Sequence, residues 1–329
     1  MDRPAIGIVI HTALAQRLFS PEDRARLQSL GHVTWTDSPK PISVDEAIAI
    51  VRNCDIGVGS WSTPYPDAAL TPACPRLRLW VHAAGTVRHM FGPHLAGRDI
   101  TIASCAPAIA DNVAATTVGI ALVAVKRIFE NALANRRGPV SAPADSRNLW
   151  SCTVGVIGAS QVGRRVMRLL RQFECPLLLY DPYVTEGEAA EMGVTLMRDL
   201  TALCAASDVV TLHAPSLPST RHMLSATQFQ AMRDGAVFIN TARGACVDEA
   251  ALVAECRKGR ITAWLDVTDP EPAAADSPLR SLANVFLTSH LAGGADYRIG
   301  RQAVDDIEAF LRGGRPKMVV TVDMLDRVA

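Results

Sequence analysis

Short aliphatic and β-branched runs alternate along this chain with longer stretches whose apolar positions recur at helical spacing. Runs of the first kind, closed by Gly, Pro, Asp or Ser, have the pattern of buried parallel strands, and the second kind supply crossover helices, so the alternation predicts an α/β fold. In the first third the strands are expected at 5–10, His32–Trp35, Ile56–Gly59, 79–81 and 101–103. Helix starts are marked between them. Ser43 and Glu46 have the spacing of a capping box, and Pro21 after Ser20 stands where a first-turn proline belongs. A single long helix is expected over 111–135, with an uncharged face wide enough to be buried on two sides, between domains or against another subunit. The stretch 137–145 concentrates Pro, Gly and Ser without periodicity and is a surface connection.

From residue 153 the alternation restarts. Six strands are expected, at 153–157, Leu177–Tyr180, Val209–Leu212, Ala236–Asn240, Ile261–Leu265 and Val285–Leu287, the number a doubly wound sheet requires. The helix after Asp248 is bounded on both sides: Asp248 and Glu249 open it, Arg257 and Lys258 close it, and Gly259 follows as its C′ residue.

A length of 329 residues implies two domains, and 49% hydrophobic with 20% charged residues is the balance of a globular chain with a large core. Formal net charge is zero, which excludes a general electrostatic attraction to nucleic acid or to anionic membranes and points to small-molecule work. All but four of the 33 basic residues are arginine, so an arginine is informative only in a patterned position. The apolar run 5–10 is too short for a signal-peptide core, and the longest uncharged stretch, 113–125, falls short of the ~20 residues of a membrane span. A cytoplasmic protein is expected. Eight scattered cysteines form no Cys-x-x-Cys pair and no metal-ligand cluster, and are expected to be small buried residues; no metal is expected.

Residues 154–170 run from a buried strand through a glycine turn into an amphipathic helix, the arrangement a dinucleotide site needs. Gly158 permits the tight turn, Gly163 lets helix and strand pack closely, and the helix start at Gln161 and Val162 offers N–H groups to a pyrophosphate. Ser160 replaces the usual middle glycine; its side chain hinders the closest backbone approach, although its hydroxyl is able to donate to phosphate. A glycine loop alone is weak evidence. Asp181, 18 residues beyond Gly163 at the end of the next strand, strengthens it, because a carboxylate there accepts hydrogen bonds from an adenosine ribose and repels a 2′-phosphate. NAD is therefore favoured over NADP.

Further segments follow in series: 208–222, with His213, Ala214, Pro215 and Thr220; 236–248, with Thr241, Ala242 and Arg243; 265–272, with Asp266 and Glu271; and 287–294, with His290 and Gly293. Taken in order with the Gly158 loop, they make the chain resemble the D-isomer-specific 2-hydroxyacid dehydrogenase family, which includes glyoxylate and hydroxypyruvate reductases and phosphoglycerate dehydrogenase. The likeness covers nearly the whole chain, most securely residues 150–294. It implies that Arg243 grips the carboxylate and carbonyl oxygens of a 2-keto acid, a task suited to paired guanidinium donors. His290 would be the acid/base, since imidazole titrates near working pH, and Glu271 would fix its tautomer and stabilise the imidazolium. Taken singly, Arg243 could be one more surface arginine, but its place between a buried strand and the Asp248 helix, where sheet ligands bind, argues against that; His290 alone reads better as a satisfied core histidine and Glu271 as a solvated loop charge, and the pattern elevates these two.

By the same resemblance the remaining named residues of these segments, with Arg243 and His290, line the NAD site, and backbone groups of Ala84, Gly85 and Thr86 meet the substrate carboxylate. His82, His89 and His222 are taken as structural or cofactor-lining. The implied architecture is two Rossmann-like domains: a doubly wound NAD-binding domain of 107–292 inserted in a smaller, flavodoxin-like substrate domain of 1–106 and 293–329, with substrate in the cleft. A homodimer through the long helix is implied as well. Where relatives commonly have Val-Ala-Glu at the start of that helix, this chain has Val113-Ala114-Ala115. The reading from another class is a non-catalytic NAD-sensing scaffold of the corepressor type on the same fold.

Overall fold

Each of two units is built on its own sheet in the computed structural model, which describes residues 3–64, 73–87, 99–321 and 324. One unit is Met1–Ile109 with Gly294–Ala329, and the other is Ala110–Gly293. In chain order the described elements are β1 (Ala5–Ile8), α1 (Thr12–Leu18), α2 (Pro21–Leu30), β2 (His32–Trp35), α3 (Val44–Val51), β3 (Ile56–Gly59), β4 (Leu79–His82), β5 (Thr101–Ser104) and α4 (Ala106–Val125). Then come α5 (Ile128–Asn135), β6 (Val154–Ile157), α6 (Gln161–Leu170), β7 (Leu177–Tyr180), α7 (Glu186–Met192), β8 (Thr195–Leu196), α8 (Leu200–Ala206) and β9 (Val209–Leu212). The rest are α9 (Ala226–Ala231), β10 (Ala236–Asn240), α10 (Glu249–Arg257), β11 (Ile261–Leu265), β12 (Val285–Leu287), α11 (Tyr297–Leu311) and β13 (Val319–Val320).

The first unit's sheet has the order β13-β5-β4-β3-β1-β2, flavodoxin-like, with β13 antiparallel to β5 and the other pairs parallel. In the second unit the order is β12-β11-β10-β9-β6-β7-β8, all parallel: the 3-2-1-4-5-6 winding of dinucleotide-binding sheets with one strand more. Its central strands β6, β9 and β10 are buried throughout because helices cover both faces. One face carries Ala114, Val118 and Ala121 of α4 and Val166, Met167 and Leu170 of α6. The other carries Leu203 of α8, Phe229 of α9 and Leu252 of α10 against Val210, Leu212 and Phe238.

Local signals hold where chemistry specifies them. Ser43 and Glu46 form the capping box of α3, Ser20 caps α2 with Pro21 in its first turn, and Asp248 caps α10 by accepting from the Ala251 N–H. Gly259 follows α10 with φ +72°. All eight cysteines are buried.

The long helix differs from expectation. It starts earlier, at Ala106, and breaks after Val125, where Arg127 takes a left-handed φ of +54° before α5 resumes. The physical cause is the loop that returns from α5: the Arg147 N–H donates to the Val125 carbonyl at 2.8 Å and the Ser146 hydroxyl to the Lys126 carbonyl at 3.2 Å, so these carbonyls are capped from outside the helix. By length and composition α4 could cross a membrane, but half of it is buried, and its Asp111 pairs with Arg165 of α6 at 2.5 Å. The short edge strands β8 and β13, two residues each, lie outside the expected strands because so short a run carries no periodicity.

Candidate active site

The glycine loop has the geometry expected of a phosphate cradle. Gly158 has φ +95°, and a side chain on it would lie 2.9 Å from the Ala214 nitrogen and 3.0 Å from the His213 carbonyl group. Gly163 rests on the Gly158 carbonyl so closely that any side chain there would overlap it. Ser160 is the N-cap of α6: its Oγ accepts from the Gly163 N–H at 3.3 Å, leaving the first-turn N–H groups of Gln161 and Val162 for an anion. Asp181 follows β7 and ties the loop together, accepting from the Ala159 N–H at 2.7 Å and the Tyr183 N–H at 2.8 Å. Beside Gly158, His213 is buried; Nε2 bonds Thr211 Oγ1 at 2.9 Å, and Nδ1 has no protein partner. Burial pushes this imidazole down to about 3, so it is neutral. A backbone pared to glycine at two close approaches, together with an unsatisfied buried nitrogen alongside, fits a dinucleotide.

Arg243, Glu271 and His290 all emerge at the carboxyl edge of the same sheet, from the adjacent parallel strands β10, β11 and β12. Ligands of wound α/β sheets bind at that edge. His290 Nδ1 meets Glu271 Oε1 at 2.6 Å, so the imidazole and carboxylate expected as a pair are one, and both side chains remain partly open to solvent.

His290 adopts φ +51°, unusual for a residue with a side chain, and Asp266 is what holds it there. The Asp266 carbonyl accepts the His290 N–H at 2.9 Å. Its buried carboxylate accepts from Thr288 Oγ1 at 2.5 Å, Leu291 N–H at 2.9 Å and Ala292 N–H at 2.9 Å. Farther along, the Gly293 carbonyl accepts from Asn112 of α4 at 3.3 Å. Asp266, expected to line the cofactor, thus has both carboxylate oxygens committed to the turn that carries the histidine.

The Arg243 turn is built by Asn240, whose side chain accepts from the Ala242 N–H and donates to the Arg243 carbonyl, both at 3.0 Å. Arg243 itself donates from Nη1 to the Ala242 carbonyl at 2.7 Å. Directly after it, Gly244 lies against the Thr268 carbonyl group and the Asp269 nitrogen, with no room for a side chain. That contact sets the Arg243 turn against the loop that carries Glu271. The same loop is tied to α10, where Glu249 Oε1 accepts the Asp269 N–H at 2.8 Å.

Other expected contacts are engaged internally. Thr220 Oγ1 donates to the Pro215 carbonyl at 2.6 Å and closes the turn after His213 and Ala214. Thr241 Oγ1 bonds Thr117 Oγ1 at 2.8 Å, and because Thr117 donates to the Val113 carbonyl at 2.8 Å, the Thr241 proton is the one shared between them. Ala84, Gly85 and Thr86 lie in the first unit, in the turn after β4, where Ser104 Oγ donates to the Gly85 carbonyl at 2.6 Å. Burial lowers His82, the last residue of β4, to about 4. His89 lies outside the described residues. Ala115 is exposed on α4. Sequence reasoning missed Asn240, Gly244, Glu249 and Thr288 as parts of the site: Gly244 and Glu249 act on the main chain of another loop, Thr288 on the Asp266 carboxylate and Asn240 on its own turn, and only Asn240 and Gly244, beside Arg243, carried a signal that could have found them.

Comparison with known proteins accords with this geometry. The family described as D-isomer specific 2-hydroxyacid dehydrogenase, NAD binding domain, matches residues 118–292. The chain is 30% identical to the glyoxylate/hydroxypyruvate reductase B of Shigella dysenteriae serotype 1, over 97% of this chain and 99% of that one. It is 33% identical to the D-3-phosphoglycerate dehydrogenase of Methanocaldococcus jannaschii over 68% of this chain, but spans only 44% of that protein's length. Among solved structures, a phosphoglycerate oxidoreductase from Rhizobium etli superposes with a TM-score of 0.78 at 26% identity, covering 97% of this chain and 99% of that one. With its sheet order, its glycine cradle and its strand-end residues, the chain belongs to the D-isomer-specific 2-hydroxyacid dehydrogenase family, and its second unit contains that family's NAD-binding domain.

Proposed function

We propose that the protein is an NAD(H)-dependent oxidoreductase interconverting a 2-keto acid and its D-2-hydroxy acid. The observation that carries this reading is the 2.6 Å contact between His290 Nδ1 and Glu271 Oε1 at the sheet edge from which Arg243 also emerges. The dinucleotide, when bound, supplies or accepts the hydride. Arg243 holds the substrate carboxylate and polarises the keto oxygen as negative charge develops there. With Nδ1 engaged by the carboxylate, Nε2 is the imidazole atom that gives its proton to the 2-oxygen in reduction and takes it back in oxidation. Glu271, bonded to Nδ1, fixes the ring's tautomer and orientation. Backbone N–H groups of Ala84, Gly85 and Thr86 in the first unit are assigned to the substrate carboxylate. NAD is preferred to NADP because Asp181 repels a 2′-phosphate.

A homodimer is part of the same proposal. Ile128, Phe129 and Leu133 of α5 are 50%, 47% and 47% exposed, and Trp150, before β6, is 65% exposed, large apolar side chains that a second copy would cover. Sedimentation at micromolar concentration tests it, and a monomer would refute it. The activity is tested by NADH oxidation with glyoxylate, hydroxypyruvate, phenylpyruvate and pyruvate. Turnover with at least one is expected; tight NADH binding without turnover of any would overturn the enzymatic reading.

A further inference from the structure

The His290–Glu271 pair is half open to water, and an exposed ion pair contributes too little by itself to hold two side chains in one geometry. Its alignment must come from the main chain on either side. Asp266 does this for His290. For Glu271 the support lies two residues upstream, at Asp269, whose N–H donates to Glu249 Oε1 at 2.8 Å. Glu249 is the first residue of α10, so the loop is tied to a helix whose own start is fixed by the Asp248 cap. Thr268 Oγ1 donates to the Pro270 carbonyl at 2.8 Å and stiffens the same turn, but only within the loop. Gly244 packs on the loop without a hydrogen bond to it. Glu249 is therefore the side chain that anchors the upstream arm of this loop to regular structure, while Arg280 holds the downstream arm through the Ala273 and Ala274 carbonyls at 2.7 and 2.9 Å. Partial burial raises its carboxyl above the usual range, and the Asp269 N–H opposes that rise.

We propose that Glu249 is a positioning residue for the acid/base pair: by holding the main chain at Asp269 it keeps Glu271 within hydrogen-bond reach of His290 Nδ1. The inference rests on the acid/base reading given above. The charged groups around the pair are Asp266 beneath the His290 turn, Asp269 with Arg221 at 3.5 Å, Asp248 at the α10 cap, and Arg243 on the turn packed against Thr268. Of these, Asp269 acts on Glu249 twice, through its N–H and through the charge of its own carboxylate, which adds to the rise of the Glu249 carboxyl.

The test uses the full chain, with reductive turnover measured from pH 5.5 to 9.5. Glu249→Gln keeps an oxygen at the same reach and should behave as the unmodified protein. Glu249→Ala removes the acceptor, and Glu249→Asp withdraws it by one methylene while keeping a carboxylate in the first helical turn, which protects the fold. Both should lower kcat by about tenfold and move the alkaline fall in turnover to lower pH, with KM for NADH unchanged. Adding either to Glu271→Gln should cause no further loss. A pH profile unmoved by Glu249→Ala and Glu249→Asp, but moved by Glu271→Gln, would overturn the inference alone. Glu249→Gln behaving like Glu249→Ala would also overturn it, since charge rather than the hydrogen bond would then be the cause. A profile unmoved by Glu271→Gln would instead remove the acid/base reading, and this inference with it.

Discussion

The main-chain N–H of His290 donates to the carbonyl oxygen of Asp266 at 2.9 Å, and the carboxylate of the same aspartate closes the turn through Thr288, Leu291 and Ala292. One buried residue thus determines where the imidazole stands. Asp266→Asn is the sharpest probe of it, because in either orientation the amide nitrogen faces a main-chain N–H, that of Leu291 or of Ala292, which then has no acceptor. The expected loss is about 2 kcal/mol of stability in urea unfolding, with a fall in kcat. An Asn variant with unchanged stability and turnover would show that the turn holds itself.

Gly244 lies where a methyl group would strike the Thr268 carbonyl group, a main-chain contact that cannot rotate away. Gly244→Ala should therefore push the Arg243 turn and the Glu271 loop apart. Displacement of about 1 Å at a reacting centre costs roughly a hundredfold in rate, and kcat/KM is expected to fall by about that factor. Full activity in this variant would mean that the two loops need not touch.

His290→Ala should lower kcat by at least ~100-fold, the low end for loss of a general acid, while NADH binding persists. Glu271→Gln should retain more activity and lose it at lower pH in the reductive direction, because the amide oxygen still reaches Nδ1 while the carboxylate charge beside the ring is gone. Steady-state rates across pH check both, and unchanged turnover in His290→Ala would reassign the acid.

Asp181 bonds two main-chain N–H groups of the cradle, so its truncation should weaken both coenzymes by loosening the loop. The ratio is the diagnostic quantity. Asp181→Ala is expected to shift kcat/KM for NADPH relative to NADH upward by about tenfold, because the repulsion of a 2′-phosphate is gone. A ratio that stays constant would count against the assignment.

His213 is pushed down to about 3 by burial, and the native state keeps it neutral where the unfolded chain, near 6.5, takes up a proton. The unfolded state then binds more protons, so this residue makes stability fall as pH drops below about 6.5, by up to about 1.4 kcal/mol per unit, until the folded value is reached. His213→Gln should flatten the pH dependence of unfolding by one proton between about pH 6 and 4. Urea melts across that range measure the slope, and equal slopes would contradict the burial.

Strand positions were legible because buried parallel strands are continuous apolar runs, and helix starts at Ser20, Ser43 and Asp248 because capping is a contact within four residues. The break at Arg127 was not, since no glycine or proline marks it; the carbonyls there are capped by Ser146 and Arg147 from a returning loop. The Gly158 loop and Asp181 were readable for the same reason as the caps: spacing along the chain carries their chemistry.

By itself the sequence determined the alternating α/β elements and the glycine cradle, because periodicity and turn chemistry are local properties of a polymer, while Arg243, Glu271 and His290 were singled out by the resemblance of their segments to a known family. Tertiary structure alone decided that Glu271 meets His290, that Asp266 serves the histidine turn, and that Gly244 and Glu249 hold the loop between them. These contacts join segments about twenty residues or more apart across neighbouring strands. They exist only once the sheet has brought those strand ends to one edge, where packing and main-chain hydrogen bonds, rather than residue order, set the distances.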